Sequence, residues 1–151
     1  MPGAQPNQGQ DVNEILMQLR YLQNLYSQQY ENLENNIATY TLANTSVQRN
    51  IDLLEKSSSI EGSNVMISGE GGAYISAEVH KVDKVLTYVG GGYLIDNSLD
   101  KALSFLKENQ KRGEDMLNRL ISEKQKVEGD LIDLQYKMST LQYQQQVSGQ
   151  Q

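Results

Sequence analysis

From Leu103 to Gln145 the chain steps by three and four residues in strict alternation: Leu103, Leu106, Gln110, Gly113, Leu117, Leu120, Lys124, Val127, Leu131, Leu134, Met138, Leu141, Gln145. Nine of these thirteen positions are apolar, enough to define a coiled-coil seam. A helix with one apolar stripe cannot enclose a core of its own, so it requires a partner helix. Gln110, Gly113 and Lys124 are the weak points of the stripe. Gly113 and Gly129 each cost about 1 kcal/mol relative to Ala inside a helix. Each either permits a bend or close approach or is tolerated weakness.

The chain supplies its own partner. Both prolines, Pro2 and Pro6, precede Asp11, and from there to Lys56 there is neither Pro nor Gly. Asp11 with Glu14 fits a capping box. A seam follows through Val12, Ile15, Leu19, Leu22, Tyr26, Tyr30, Leu33, Ile37, Tyr40, Asn44, Val47, Ile51 and Leu54. Two successive steps of four around Tyr26 and Tyr30 break the alternation as a stutter. Leu16, Met17, Tyr21 and Leu25 fall beside this seam. Asn44 is either a register-setting amide or a tolerated polar site. About 45 residues at 1.5 Å each extend roughly 70 Å. The seams Ile15–Leu54 and Leu103–Leu141 match in length, so an antiparallel pair would set Leu54 near Leu103 and Ile15 near Leu141.

Between the helices the period changes to two. Val65 and Ile67 suggest a strand, Ser68 to Gly72 a turn, and Ala73, Ile75, Ala77 and Val79 a second, half-buried strand. Val85, Thr87 and Val89 mark a third strand, Gly90 to Gly92 a turn, and Tyr93 to Ile95 a short return. Asn97, Ser98 and Asp100 form a helix-start signal. The expected organisation is a lead-in without fixed structure at 1–10, a helix at 11–56, a double β-hairpin module at 57–97, a helix at 98–146 and a flexible tail at 147–151. Two isolated hairpins bury little surface and leave strand edges open. The fold class is therefore α+β: a long antiparallel coiled coil with two β-hairpins at the connecting end, the hairpins assembling with other subunits into a small β-barrel or sheet. Val85, Thr87, Val89, Tyr93 and Ile95 are the expected oligomer interface.

The formal net charge of -6 disfavours attraction to nucleic acid or anionic lipid. No cysteine is present, which excludes disulfides and thiolate chemistry. Residues 1–10 have no signal-peptide pattern, and no stretch approaches a membrane span, so a soluble intracellular protein is expected. The glycine clusters lack the lysine and spacing of nucleotide loops. His80, the sole histidine, has no second histidine or cysteine with which to hold a metal. No catalytic site, cofactor, metal or enclosed apolar pocket is expected; the chain does not read as an enzyme.

The free ends are richer in large apolar groups than a seam requires. Ile15, Leu16, Leu19 and Leu22 in the first helix, with Met138, Leu141, Tyr143 and Val147 in the second, are the candidate binding residues. They either contact apolar segments of other proteins or thicken the coiled coil.

The order long helix, two hairpins, long helix resembles the alpha-subunit class of the prefoldin family, from about Val12 to Gln145. The most specific stretches are DKVLTYVGGGYLIDNSLDKALSFL, Asp83 to Leu106, and GGAYISAEV, Gly71 to Val79. This resemblance implies a cytoplasmic hexamer of two alpha and four beta subunits with a central double barrel. It implies ATP-independent capture of unfolded proteins at the rod tips and delivery to a group II chaperonin. A structural coiled-coil spacer or adaptor is the alternative.

Overall fold

The computed structural model describes residues 8–148. Two long helices, α1 (Gln8–Glu55) and α3 (Leu99–Ser148), flank a short helix α2 (Ser57–Ile60) and four strands: β1 (Asn64–Ser68), β2 (Tyr74–Glu78), β3 (Lys84–Gly90) and β4 (Tyr93–Ser98). The described residues fall into two compact units, one of residues 8–39 and 117–148 and a second of residues 40–116.

In the first unit the helix segments pair antiparallel. Gln145 Nε2 donates to Asn13 Oδ1 at 3.1 Å, and Lys124 Nζ donates to Glu34 Oε1 at 2.8 Å. Its buried apolar residues are Leu16, Leu33, Val127 and Leu134. In the second unit the segments are again antiparallel: the amide of Gln110 meets that of Gln48, and Lys107 Nζ lies 2.6 Å from Glu55 Oε1. Ile51 and Ala102 are its buried apolar residues, beside buried Ser57 and Thr87.

Along α3 every position of the expected seam from Leu103 to Gln145 is buried or half-buried. Along α1 the phase differs near the start. Val12, Leu16, Leu19, Gln23, Tyr26, Tyr30, Leu33, Ile37, Asn44, Val47, Ile51 and Leu54 turn inward, while Ile15 and Leu22 are exposed, as is Tyr40, which keeps its seam spacing between Ile37 and Asn44. Exchanging Ile15 and Leu22 for Leu16 and Gln23 restores three-four alternation and removes the stutter. A glutamine on the seam hides the true phase, because its stem can pack while its amide reaches solvent.

Helix ends also move. α1 begins at Gln8, so residues 8–10 are helical and Asp11 lies inside the helix instead of capping it. Residues 1–7 of the expected lead-in lie outside the described residues. α3 runs through Ser148, past the expected start of a tail at 147, and residues 149–151 are likewise outside the description. At its start, Ser98 Oγ accepts a hydrogen bond from the Lys101 amide at 3.4 Å, as an N-cap does.

The strands form two separate two-stranded antiparallel sheets, β1 with β2 and β3 with β4. The first pairs Val65 with Ala77 and Ile67 with Ile75, leaving Met66 and Tyr74 on its other face. Bonds between Gly62 and Val79 and between Val79 and Ser63 extend this ladder past the strand ends. In the second sheet β4 continues through Asp96, Asn97 and Ser98, beyond the three-residue return expected from sequence. The register shifts between Tyr88 and Gly90 as the chain enters its turn. Gly90, Gly91 and Gly92 all have positive φ, a conformation that disfavours any residue with a Cβ.

Candidate functional site

The second hairpin has two unlike faces. Thr87 and Asn97 point inward: Thr87 is 5% exposed, its Oγ1 donates to the Ile95 carbonyl at 3.2 Å, and the Asn97 amide donates to Thr87 Oγ1. Val85 is half-buried on the same face. Alternation sends Leu86, Tyr88 and Leu94 to the other face, where all three are exposed. Of the expected interface residues, Val89, Tyr93 and Ile95 are exposed, whereas Thr87 is covered by its own chain. Leu86, Tyr88 and Leu94 fall outside the expected set because the β-branched Val85, Thr87 and Val89 mark the opposite phase of β3. The relevant signal was that the intervening residues are also large and apolar.

The first hairpin likewise exposes Ile67 and Ile75, a directly opposed pair. The half-buried strand expected at Ala73 to Val79 is covered only at Ala77 and Val79.

An open cleft of 520 Å³ lies in this unit, with Leu54, Leu106 and Phe105 on the helix side and Leu86, Tyr88 and Leu94 on the hairpin side. No Asp, Glu, His, Lys or Arg lines it. Its chemistry suits apolar packing. His80 stands in the exposed segment between β2 and β3, beside an ion pair of Lys81 with Asp83 at 3.2 Å. Among the described residues no cluster of His, Cys, Asp or Glu could hold a metal ion, and no helix is long and apolar enough to cross a membrane.

In the first unit the candidate client-binding residues separate into two sets. Leu16 is 6% exposed, and Leu19, Met138 and Leu141 are half-buried seam residues. Ile15, Leu22, Tyr143 and Val147 are exposed, Tyr143 at 69%. Leu16, beside the seam expected from sequence, is a seam residue because the phase of α1 differs. Met17, Tyr21 and Leu25 form an exposed run at steps of four on α1. On α3, Ile132 and Tyr136 join Tyr143 and Val147 on one face at steps of four, seven and four. Ile132 and Tyr136 fall outside the expected set, although their helical spacing from Tyr143 is visible in the sequence.

The seam cation of this unit is well matched. Lys124 Nζ binds Glu34 and stands 4.8 Å from the ring centre of Tyr30. The hydrogen bond to Glu34, followed by one to Tyr30, raises the Lys124 pKa above its ordinary value of 10.5.

The prefoldin subunit family model matches residues 26–150. A prefoldin subunit alpha from Haloarcula marismortui is 32% identical over 87 residues, covering 58% of this chain and 55% of the relative. One from Thermofilum pendens is 27% identical over 79 residues, covering 52% of this chain and 57% of the relative. These two matches thus span only about half the length of those relatives. A third, from Archaeoglobus fulgidus, is 24% identical over 135 residues and covers 84% of this chain and 96% of the relative. The fold is similar to that in a cryo-EM structure of filamentous PFD from Methanocaldococcus jannaschii, with a TM-score of 0.51 and 21% identity over 80% of this chain and 95% of that one. With two long helices, two antiparallel hairpins and a family match over most of its length, the chain belongs to the prefoldin subunit family.

Proposed function

We propose that this chain is a subunit of an ATP-independent molecular chaperone that captures unfolded proteins through apolar side chains near the Asn13–Gln145 end of its helix pair. The observation that carries this reading is the distribution of apolar surface. Among the described residues six apolar side chains are buried, whereas twenty-four large ones are exposed. That excess suits a molecule whose contacts lie largely outside itself. Met17, Tyr21, Tyr136 and Tyr143 offer flexible or amphipathic surface to unfolded segments of varied sequence.

The hairpins act as the assembly module. Leu86, Tyr88, Val89, Tyr93, Leu94 and Ile95 supply the interface, with Ile67 and Ile75 adding a second apolar patch. Two-stranded sheets are marginal alone, so neighbouring strands complete them as a barrel. Family membership supports two copies of this chain with four beta-class subunits, transfer of clients to a group II chaperonin, and a cytoplasmic site of action.

The test is suppression of aggregation by the assembled complex, without ATP, for several unrelated unfolded clients. Lower light scattering for each client is expected. Unchanged scattering with an intact assembly contradicts chaperone function and supports a spacer or adaptor.

A further inference from the structure

We propose that the helix pair contains a built-in soft layer centred on Asn44 and Gly113, where it opens locally before its neighbours do. Both residues occupy seam positions, where a coiled coil normally places interlocking apolar side chains. Here the side chain of Asn44 lies in the notch left by glycine. A Cβ at position 113 would overlap Asn44 Oδ1 and stand 2.8 Å from Asn44 Cγ. Asn44 is half-buried, and its Nδ2 is buried with no hydrogen-bond partner among the described residues. A buried donor in that state regains hydration when the layer opens.

Three further observations fall in the same stretch. Within the second unit, α1 from Tyr40 to Asn50 and α3 from Leu103 to Met116 contain no buried residue. At the preceding seam position of α3 stands another polar residue, Gln110, whose amide bonds to exposed Gln48 beside the α1 seam. The sequence Thr39 to Ser46, TYTLANTS, is dominated by residues that rank below Ala, Leu, Gln and Lys as helix formers. Thr45 Oγ1 donates to the Thr41 carbonyl at 2.9 Å, and Ser46 Oγ donates to the Leu42 carbonyl at 3.1 Å. Such back-bonding slightly destabilises and often bends a helix. Gly113 weakens the facing helix at the same level. Poor propensity, an unpaired amide and thin apolar packing therefore coincide, which is the physical description of a low-stability segment.

Hydrogen exchange on the whole chain in its native assembly tests this. Amides of Ala43 to Val47 and Gln110 to Asp115 should exchange about tenfold or more faster than those of Ile51 to Leu54 and Val127 to Leu131. Asn44→Ala combined with Gly113→Ala removes the unpaired amide and fills the notch, and should largely erase that contrast. Thr45→Ala with Ser46→Ala changes only exposed positions and should slow exchange in the α1 window about threefold or more while helicity is retained. Equal exchange rates in the parent protein, or an unchanged contrast in the folded Thr45/Ser46 variant, overturn the proposal.

Discussion

Lys124 shows how a charged residue can occupy a coiled-coil seam. Its stem lies on the apolar stripe, while its ammonium meets Glu34 at 2.8 Å and the face of Tyr30. The raised pKa means that the folded state favours the protonated form. Its contribution is therefore fully present below pH 10.5 and is lost as pH rises through the higher folded value. A thermal melt followed by circular dichroism should show a steeper alkaline loss for the parent than for Lys124→Met. Parallel alkaline limbs would remove Lys124 as the cause. Leu16 and Tyr143 make a contrasting pair at the same scale. Leu16→Ser empties a buried seam position and should cost about 2 kcal/mol. Tyr143→Ser alters an exposed side chain and should change stability by about 0.5 kcal/mol or less. Denaturant melts measure both effects. Weakened client binding by the stable Tyr143 variant would support the exposed-group assignment, and undiminished binding would count against it.

At the scale of the element, the two faces of the second hairpin differ in cover: Val85, Thr87 and Asn97 are buried or half-buried, whereas Leu86, Tyr88 and Leu94 are exposed along the open cleft. Charge placed on the two faces should therefore have different effects. Leu86→Glu with Leu94→Glu should release subunits, seen as lower mass by light scattering, while the helical signal is retained. Val85→Glu should lower the melting temperature of the chain itself, because Val85 lies beside Thr87 on the half-buried face. If the Leu86/Leu94 variant keeps its parent mass, this face is not the assembly surface. The hairpins themselves were legible from alternation and glycine clusters, which follow from the two-residue strand period. Which phase remained uncovered was not, because both phases of β3 contain large apolar side chains.

At the scale of the molecule, antiparallel pairing within each unit predicts where introduced cysteines meet. The parent has no cysteine, so any adduct reports the engineered pair. A short bis-maleimide should link Asn13→Cys to Gln145→Cys, and Gln48→Cys to Gln110→Cys, within one chain. Both should run as crosslinked monomers on a denaturing gel. Asn13→Cys with Lys124→Cys, two sites of the first unit, should give no intramolecular product, because Lys124 pairs with Glu34 instead; its formation in high yield would contradict the pairing.

By itself the sequence determined the two helices, the hairpins between them and the entire seam of α3. Spacing and the placement of Pro and Gly set these features locally, and a regular apolar stripe has one inward phase. Tertiary structure decided the phase at the start of α1, where Ile15, Leu16, Met17, Leu19, Leu22 and Leu25 make two stripes nearly equivalent. Pairing with α3 selects Leu16 and Gln23, leaving Ile15 and Leu22 exposed. It also gave Gly113 its meaning. In sequence that residue is a weak point of a helix; in the folded pair it is the space occupied by Asn44. The difference is physical: helix periodicity is written in one segment, whereas packing depends on the side chain that arrives from the other.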